Sequence, residues 1–203
     1  MKTYDGKWYI TEKINAKTVR PEDGLDTNFE MYETKIFLAG PISSVYDWRT
    51  PLISKLHKYH DDSISAMLIC NPRRKKYDDT FDEKYQNFWD QYHLRNCNKI
   101  VYYIPPSNNG NSEYALKTIF EIAQMTSIYM HDIAPSVYNK APEIYLFISE
   151  KHKLCDYIID IIDNLSKKIY CTKLEDFKNS HKYDDNLELL DAVAATILGK
   201  EVN

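Results

Sequence analysis

From residue 35 onward, short apolar runs alternate with longer amphipathic stretches, and polar turn residues mark most of the joints. Lys35-Ile36-Phe37-Leu38-Ala39-Gly40, Ala66–Cys70, Lys99–Ile104, Glu143–Ser149 and Lys168–Thr172 are rich in β-branched and aromatic residues and predict about five strands. Between them, apolar residues recur at helical spacing. A helix from Asp47 to about Tyr59 carries Leu52, Ile53 and Leu56 on one face, and a second contains Gln86, Trp89, Asp90 and Leu94. A third, from Ser112 to about Thr126, carries Ala115, Leu116, Ile119, Phe120 and Ala123. Further helices are expected over Lys151–Leu165 and Asp184–Leu198. Strands alternating with helices predict an α/β fold, a parallel sheet with helices on both faces. Residues 1–34 read as an N-terminal extension that packs on the sheet edge, with a short strand near Lys7–Thr11, and residues 35–203 as the α/β domain. Residues 127–142, with Met130, His131, Pro135 and Pro142, form an irregular insertion longer than most connections.

Polar punctuation follows three of the strands: Gly40-Pro41-Ile42 leading to Asp47, Asn71-Pro72-Arg73-Arg74, and Pro105-Pro106 leading to Glu113. In a parallel sheet these ends share one edge, and open α/β sheets bind their ligands there. Asn111 or Ser112 can cap the third helix, which puts Glu113 in its first turn at the mouth of the crevice. A carboxylate there also complements the helix dipole, a purely structural reason for its presence.

Composition narrows the function further. The chain has 203 residues, enough for one substantial α/β domain. A formal net charge of -4 provides no positive field for nucleic acid or an anionic membrane, and no apolar run reaches the ~20 residues of a membrane span. No signal peptide is legible, and Cys70, Cys97, Cys155 and Cys171 show no zinc spacing, so reduced thiols and a cytoplasmic location are expected. His57 and His60 have no ligand partners at suitable spacing, and His93, His131, His152 and His181 read as scattered surface residues; no metal is expected. The glycine-rich dinucleotide and phosphate motifs, the nucleophile elbow and the zinc-protease helix are all missing.

Phe37-Leu38-Ala39-Gly40-Pro41-Ile42, Asp47-Trp48, Asn71-Pro72-Arg73-Arg74, Gln86-x-x-Trp89-Asp90 and then an apolar strand and a helix-borne Glu resemble, in that order, the nucleoside 2-deoxyribosyltransferase-like proteins. The resemblance spans about Lys35 to Gln124. It implies a flavodoxin/Rossmann-like sheet, a homo-oligomer whose neighbouring subunits complete the site, and no cofactor. The implied activity is transfer of a 2-deoxyribosyl group between nucleobases through a covalent glycosyl-Glu. Alternatives are hydrolysis of a 2′-deoxynucleoside or its 5′-monophosphate, or a catalytically silent nucleotide-binding module.

Two residues compete for the family's nucleophile, which stands in a Glu-Leu-Gly setting. Glu113 lies at the right distance after Pro105, whereas Glu121 (Ile-Phe-Glu-Ile-Ala) matches the local pattern better, two turns further along on the polar side with Lys117, Thr118 and Gln124. Helix geometry favours Glu113. Ala115 or Ala123 replaces the expected Gly. Asp90 is the candidate for base recognition or proton donation, and Gly40, Pro41, Asp47, Trp48, Asn71, Arg73, Arg74, Gln86 and Trp89 are candidate substrate-binding residues. Capping suits Asp47 equally, a core position suits Trp89, and Arg73 or Arg74 can hold a phosphate or pair with the acidic cluster Asp78, Asp79, Asp82 and Glu83.

Overall fold

The computed structural model describes residues 2–4, 7–9, 16–25, 28–43, 45–60, 66–75, 81–130, 141–162, 165, 168–181 and 186–200. Its strands are β1 (Lys2–Tyr4), β2 (Lys7–Tyr9), β3 (Lys17–Val19), β4 (Thr34–Ala39), β5 (Met67–Cys70), β6 (Lys99–Ile104), β7 (Glu143–Ile148) and β8 (Ile169–Lys173). Its helices are α1 (Arg49–Tyr59), α2 (Glu83–Asn96), α3 (Leu116–Met130), α4 (Cys155–Ile162), α5 (Leu174–His181) and α6 (Asn186–Leu198). β1 and β2 pair as an antiparallel hairpin.

The other six strands form one parallel sheet in the order β3-β5-β4-β6-β7-β8. Without β3 this is the 2-1-3-4-5 order of doubly wound, flavodoxin-like folds, whose switch point lies between the first and third strands of that order, here β4 and β6. Consecutive residues Ile36 to Ala39, Met67 to Cys70 and Ile100 to Ile104 are all buried, so both faces of the central strands are covered. α1 and α6 pack together, while α2 brings Trp89 onto Phe37 with ring centroids 6.3 Å apart. Asn98 fixes the register at the amino ends of the strands. Its Oδ1 accepts from the Lys35 amide at 2.8 Å, and its carbonyl accepts from the Glu143 amide at 2.8 Å. Asp82 caps α2, accepting from the amides of Lys84 at 2.9 Å and Tyr85 at 3.2 Å.

Several elements differ from the sequence expectation. The sheet has six strands, because the short segment Lys17–Val19 adds an edge strand beside β5. α5 follows β8 without a break, and α4 is shorter than the amphipathic pattern suggested. α3 starts at Leu116 instead of Ser112, since Ala115 has φ 59° and a left-handed residue cannot continue a right-handed helix. α3 also runs on through Met130, while residues 131–140 of the expected insertion lie outside the described residues.

Gly40 ends β4 with φ 152°. A Cβ there would overlap the Tyr103 carbonyl oxygen and stand 2.7 Å from Cζ2 of Trp48. Gly40→Ala is therefore expected to destabilise the protein by about 3 kcal/mol, seen as a lower urea midpoint with an unchanged slope.

Candidate active site

The carboxyl end of the sheet opens at the β4–β6 switch point into a cleft of about 280 Å³. Its lining comprises Phe37 and Ala39 from β4, the turn Gly40 to Ser43, Pro72 after β5, Asp90 of α2, and Ala115 to Thr118 with Glu121 from the start of α3. The sequence-predicted Gly40, Pro41, Asp90 and Glu121 meet here, and Lys117, Thr118, Ile42 and Ser43 join them.

α3 sits in an unexpected orientation. Its buried positions are Thr118, Glu121, Ile122, Met125 and Thr126, whereas Leu116 and Phe120 are 68% and 72% exposed. The apolar stripe read from the sequence thus points outward, and the polar stripe faces the cleft.

Glu121 is only 6% exposed. Among the described residues its carboxylate accepts no hydrogen bond. Burial pushes its carboxyl up to about 7; the Lys117 charge opposes this, the Asp90 charge adds to it, and the Arg49 charge opposes it. The Tyr102 hydroxyl from β6, buried and without a hydrogen-bond partner among the described residues, titrates well above its ordinary range because of burial and then the Glu121 charge.

Asp90 is 5% exposed and held on both oxygens. Oδ1 accepts from Gln86 Nε2 at 2.8 Å, and Oδ2 accepts from Lys117 Nζ at 2.7 Å. Gln86 is itself tethered, its Nε2 donating to the Pro72 carbonyl at 3.1 Å, so it positions Asp90 from behind the cleft wall. Burial raises the Asp90 carboxyl, while Lys117, Gln86 and Arg49 counter it.

Arg49 was missed by the sequence reading. It is buried under the β4 turn, donating from Nε to the Leu38 carbonyl at 3.2 Å, from Nη1 to the Pro41 carbonyl at 3.0 Å, and from Nη2 to the Gly40 carbonyl at 2.6 Å. Its signal was an arginine on the Leu52–Leu56 stripe of α1, where a core side chain was due.

The remaining candidates lie elsewhere. Glu113 precedes α3, is exposed, and pairs with Lys153 on the β7–α4 connection, which lowers its pKa. Tyr114 anchors this loop: its hydroxyl donates to the Pro105 carbonyl, and its own carbonyl accepts from His152 Nε2 at 2.9 Å. The placement of Glu113 in a first helical turn at the cleft mouth is thereby corrected. Asp47 accepts from the Thr50 hydroxyl at 2.9 Å and pairs with Arg73 Nη1 at 3.3 Å. Asn71 is buried, its Oδ1 accepting from the Arg73 amide at 3.0 Å. Arg74 stacks over Phe81, with Cζ 5.8 Å from the ring centroid. Trp48 and Trp89 are both core residues. Trp48 packs on Tyr103 with centroids 5.0 Å apart, and Trp89 donates from Nε1 to the Gly24 carbonyl at 2.8 Å. His93 and His152 are buried, not superficial, and His93 stacks on Trp89 at 3.9 Å between centroids. Among the described residues the four cysteines form no disulfide, and Sγ of Cys70 and Cys97 are 3.7 Å apart. Among the described residues no cluster of His, Cys, Asp and Glu could hold a metal ion, and no helix is long and apolar enough to cross a membrane.

A doubly wound parallel sheet, with two buried carboxylates and a lysine lining a cleft at its switch point, defines a flavodoxin-like α/β protein. Residues 33–130 match the family model described as nucleoside 2-deoxyribosyltransferase like. The matched segment contains every residue that lines the cleft. No curated protein matches the chain.

A carboxyl that titrates near 7 in the fold and near 4.5 in the unfolded chain favours folding at low pH. That contribution is fully present below about 4.5 and is lost as pH rises through about 7. Ionised Glu121 then costs the fold about 3 kcal/mol. Glu121→Gln mimics the neutral form, so chemical denaturation is expected to show it more stable than wild type by about this amount at pH 8, and equal to wild type at pH 4.

Proposed function

We propose that the protein breaks the N-glycosidic bond of a 2′-deoxynucleoside and passes the 2-deoxyribosyl group to a second nucleobase, with Glu121 as nucleophile. The observation that carries this reading is a buried carboxylate with no hydrogen bond among the described residues, facing a cleft inside the family-matched segment. Breaking the bond builds oxocarbenium character at C1′, and an ionised carboxylate on one face attacks it to form a glycosyl-enzyme. Poor solvation of Glu121 leaves its charge available to that cation. Asp90, fixed by Gln86 and Lys117, supplies an acceptor for a base N–H group from the opposite wall. Gly40 and Pro41 form the floor on which the sugar rests.

The reading includes a homo-oligomer. At about 280 Å³ the cleft is at the small end for ligand sites, roughly 300–1,000 Å³, so a nucleoside would remain partly uncovered. Leu116 lies on its rim, and with Phe120 it forms an apolar outer stripe on α3 that a second copy of the chain would cover.

The test is a chromatographic assay with deoxyinosine or thymidine as donor and adenine or cytosine as acceptor. A new deoxynucleoside is expected, lost on the order of 10³-fold or more in Glu121→Ala and changed less than about threefold in Glu113→Ala. Without acceptor, mass spectrometry of quenched protein should find one 2-deoxyribosyl group on the peptide containing Glu121. Free base without a new nucleoside would identify a hydrolase. Thermal stabilisation by nucleotides without turnover would identify a silent binding module. Unchanged activity in Glu121→Ala would refute the nucleophile assignment.

A further inference from the structure

We propose that Lys117 is the group that holds the departing nucleobase, donating a hydrogen bond to the charge that collects on it as the glycosidic bond breaks. This rests on the glycosyl-transfer reading of the cleft. Lys117 lines the cleft one helical turn before Glu121 on the same face of α3. Its Nζ donates to Asp90 Oδ2 at 2.7 Å and to Asn87 Oδ1 at 3.0 Å. An ammonium has three N–H donors, and these are its two contacts among the described residues. Both acceptors belong to α2, so they pin a long side chain of α3 across the cleft and leave the third N–H for a ligand. Lys117 also accounts for the polar-inward orientation of α3: it brings a cation beside two buried carboxylates, where a nucleobase would be flanked by Asp90 on one side and Glu121 on the other.

The step balances as follows. A Glu121 oxygen forms a bond to C1′ while the C1′–N bond breaks, and its electron pair leaves with the base as a nitrogen anion. The third Nζ–H of Lys117 hydrogen-bonds an acceptor atom of that anion, and Lys117 keeps its protons. The anion takes a proton from water on release. An incoming base gives one up before it attacks C1′ and frees Glu121, so the protein returns to its starting charge. A donor aimed at charge present only in the transition state acts on the rate of bond cleavage.

The experiment uses 2′-deoxyuridines with 5-fluoro, 5-bromo, hydrogen and 5-methyl substituents, whose bases differ in acidity. In wild type, kcat/KM should rise modestly with the acidity of the leaving base. Lys117→Met is expected to lose roughly 10²-fold on the poorest leaving group and much less on the best, giving a steeper slope. Lys117→Arg, which keeps a charged donor, should recover part of the loss. Asp90→Asn, with Lys117 intact, should lower activity without steepening the slope. Lys117→Met losing the same factor on every substrate overturns the proposal, and so does an equally steep slope in Asp90→Asn, which would make Lys117 a positioning residue for Asp90. Absence of turnover by wild type on every substrate overturns the glycosyl-transfer reading itself, and with it this role of Lys117. Because the Lys117 side chain is more than half exposed, loss of fold is not expected in Lys117→Met, and unchanged far-UV circular dichroism checks this.

Discussion

The clamp of Arg49 on the turn after β4 is the contact on which the cleft depends. Three guanidinium nitrogens meet the carbonyls of Leu38, Gly40 and Pro41, whose own directions are set by the end of a parallel strand. A buried arginine is tolerated when its donors are paired, and here three of its nitrogens donate to backbone oxygens at the end of the strand. The clamp needs Gly40, because any side chain there would strike Tyr103 and Trp48 and push the turn off the guanidinium. The same cation reaches Asp90 and Glu121 electrostatically and lowers the cost of burying both. One side chain thus shapes the floor of the site and tempers its charge.

The second constraint is the reversed orientation of α3. An amphipathic helix on a sheet ordinarily buries its apolar stripe. α3 instead buries Thr118, Glu121 and Thr126 beside Ile122 and Met125, and exposes Leu116 and Phe120. Thr126 spends its hydroxyl on the Ile122 carbonyl one turn back at 2.8 Å, and Lys117 spends its ammonium on Asp90, so much of the inward polarity is paired. Glu121 is the exception. A carboxylate left unpaired in a protein wall costs stability, and such costs collect at sites where a ligand completes the arrangement.

This orientation also explains what the sequence could and could not tell. The central strands were legible because continuous runs such as Ile100 to Ile104 fit only a strand covered on both faces. The three strand ends were legible because Gly40-Pro41, Asn71-Pro72 and Pro105-Pro106 break the chain where strands stop. β3 was hidden: three residues, Lys-Thr-Val, carry no periodicity, and only the Asn71 amide bonding to the Val19 carbonyl at 2.9 Å shows how its end is fixed to the sheet. Two local facts with no sequence signature set the positions of Glu113 and Glu121. Ala115 adopts a left-handed conformation usually left to glycine, which delays the helix by about a turn. The helix then turns its polar side to the sheet, against the rule that led the apolar stripe to be taken as the core face. Asp90, assigned from the family resemblance, lies in the cleft wall beside the buried Trp89.

The charges of the cleft form a set of two carboxylates, Asp90 and Glu121, facing two cations, Lys117 and Arg49. They are not equivalent, because Asp90 is held by direct hydrogen bonds and Glu121 is reached only through space. With a direct ion pair, Asp90 keeps a fixed position. Glu121 has no such pair among the described residues, so its charge is the less compensated of the two. Positive character that builds on a sugar carbon in the cleft would be met by Glu121 for the same reason that ionised Glu121 weakens the fold: in both cases the missing partner is a positive charge at close range.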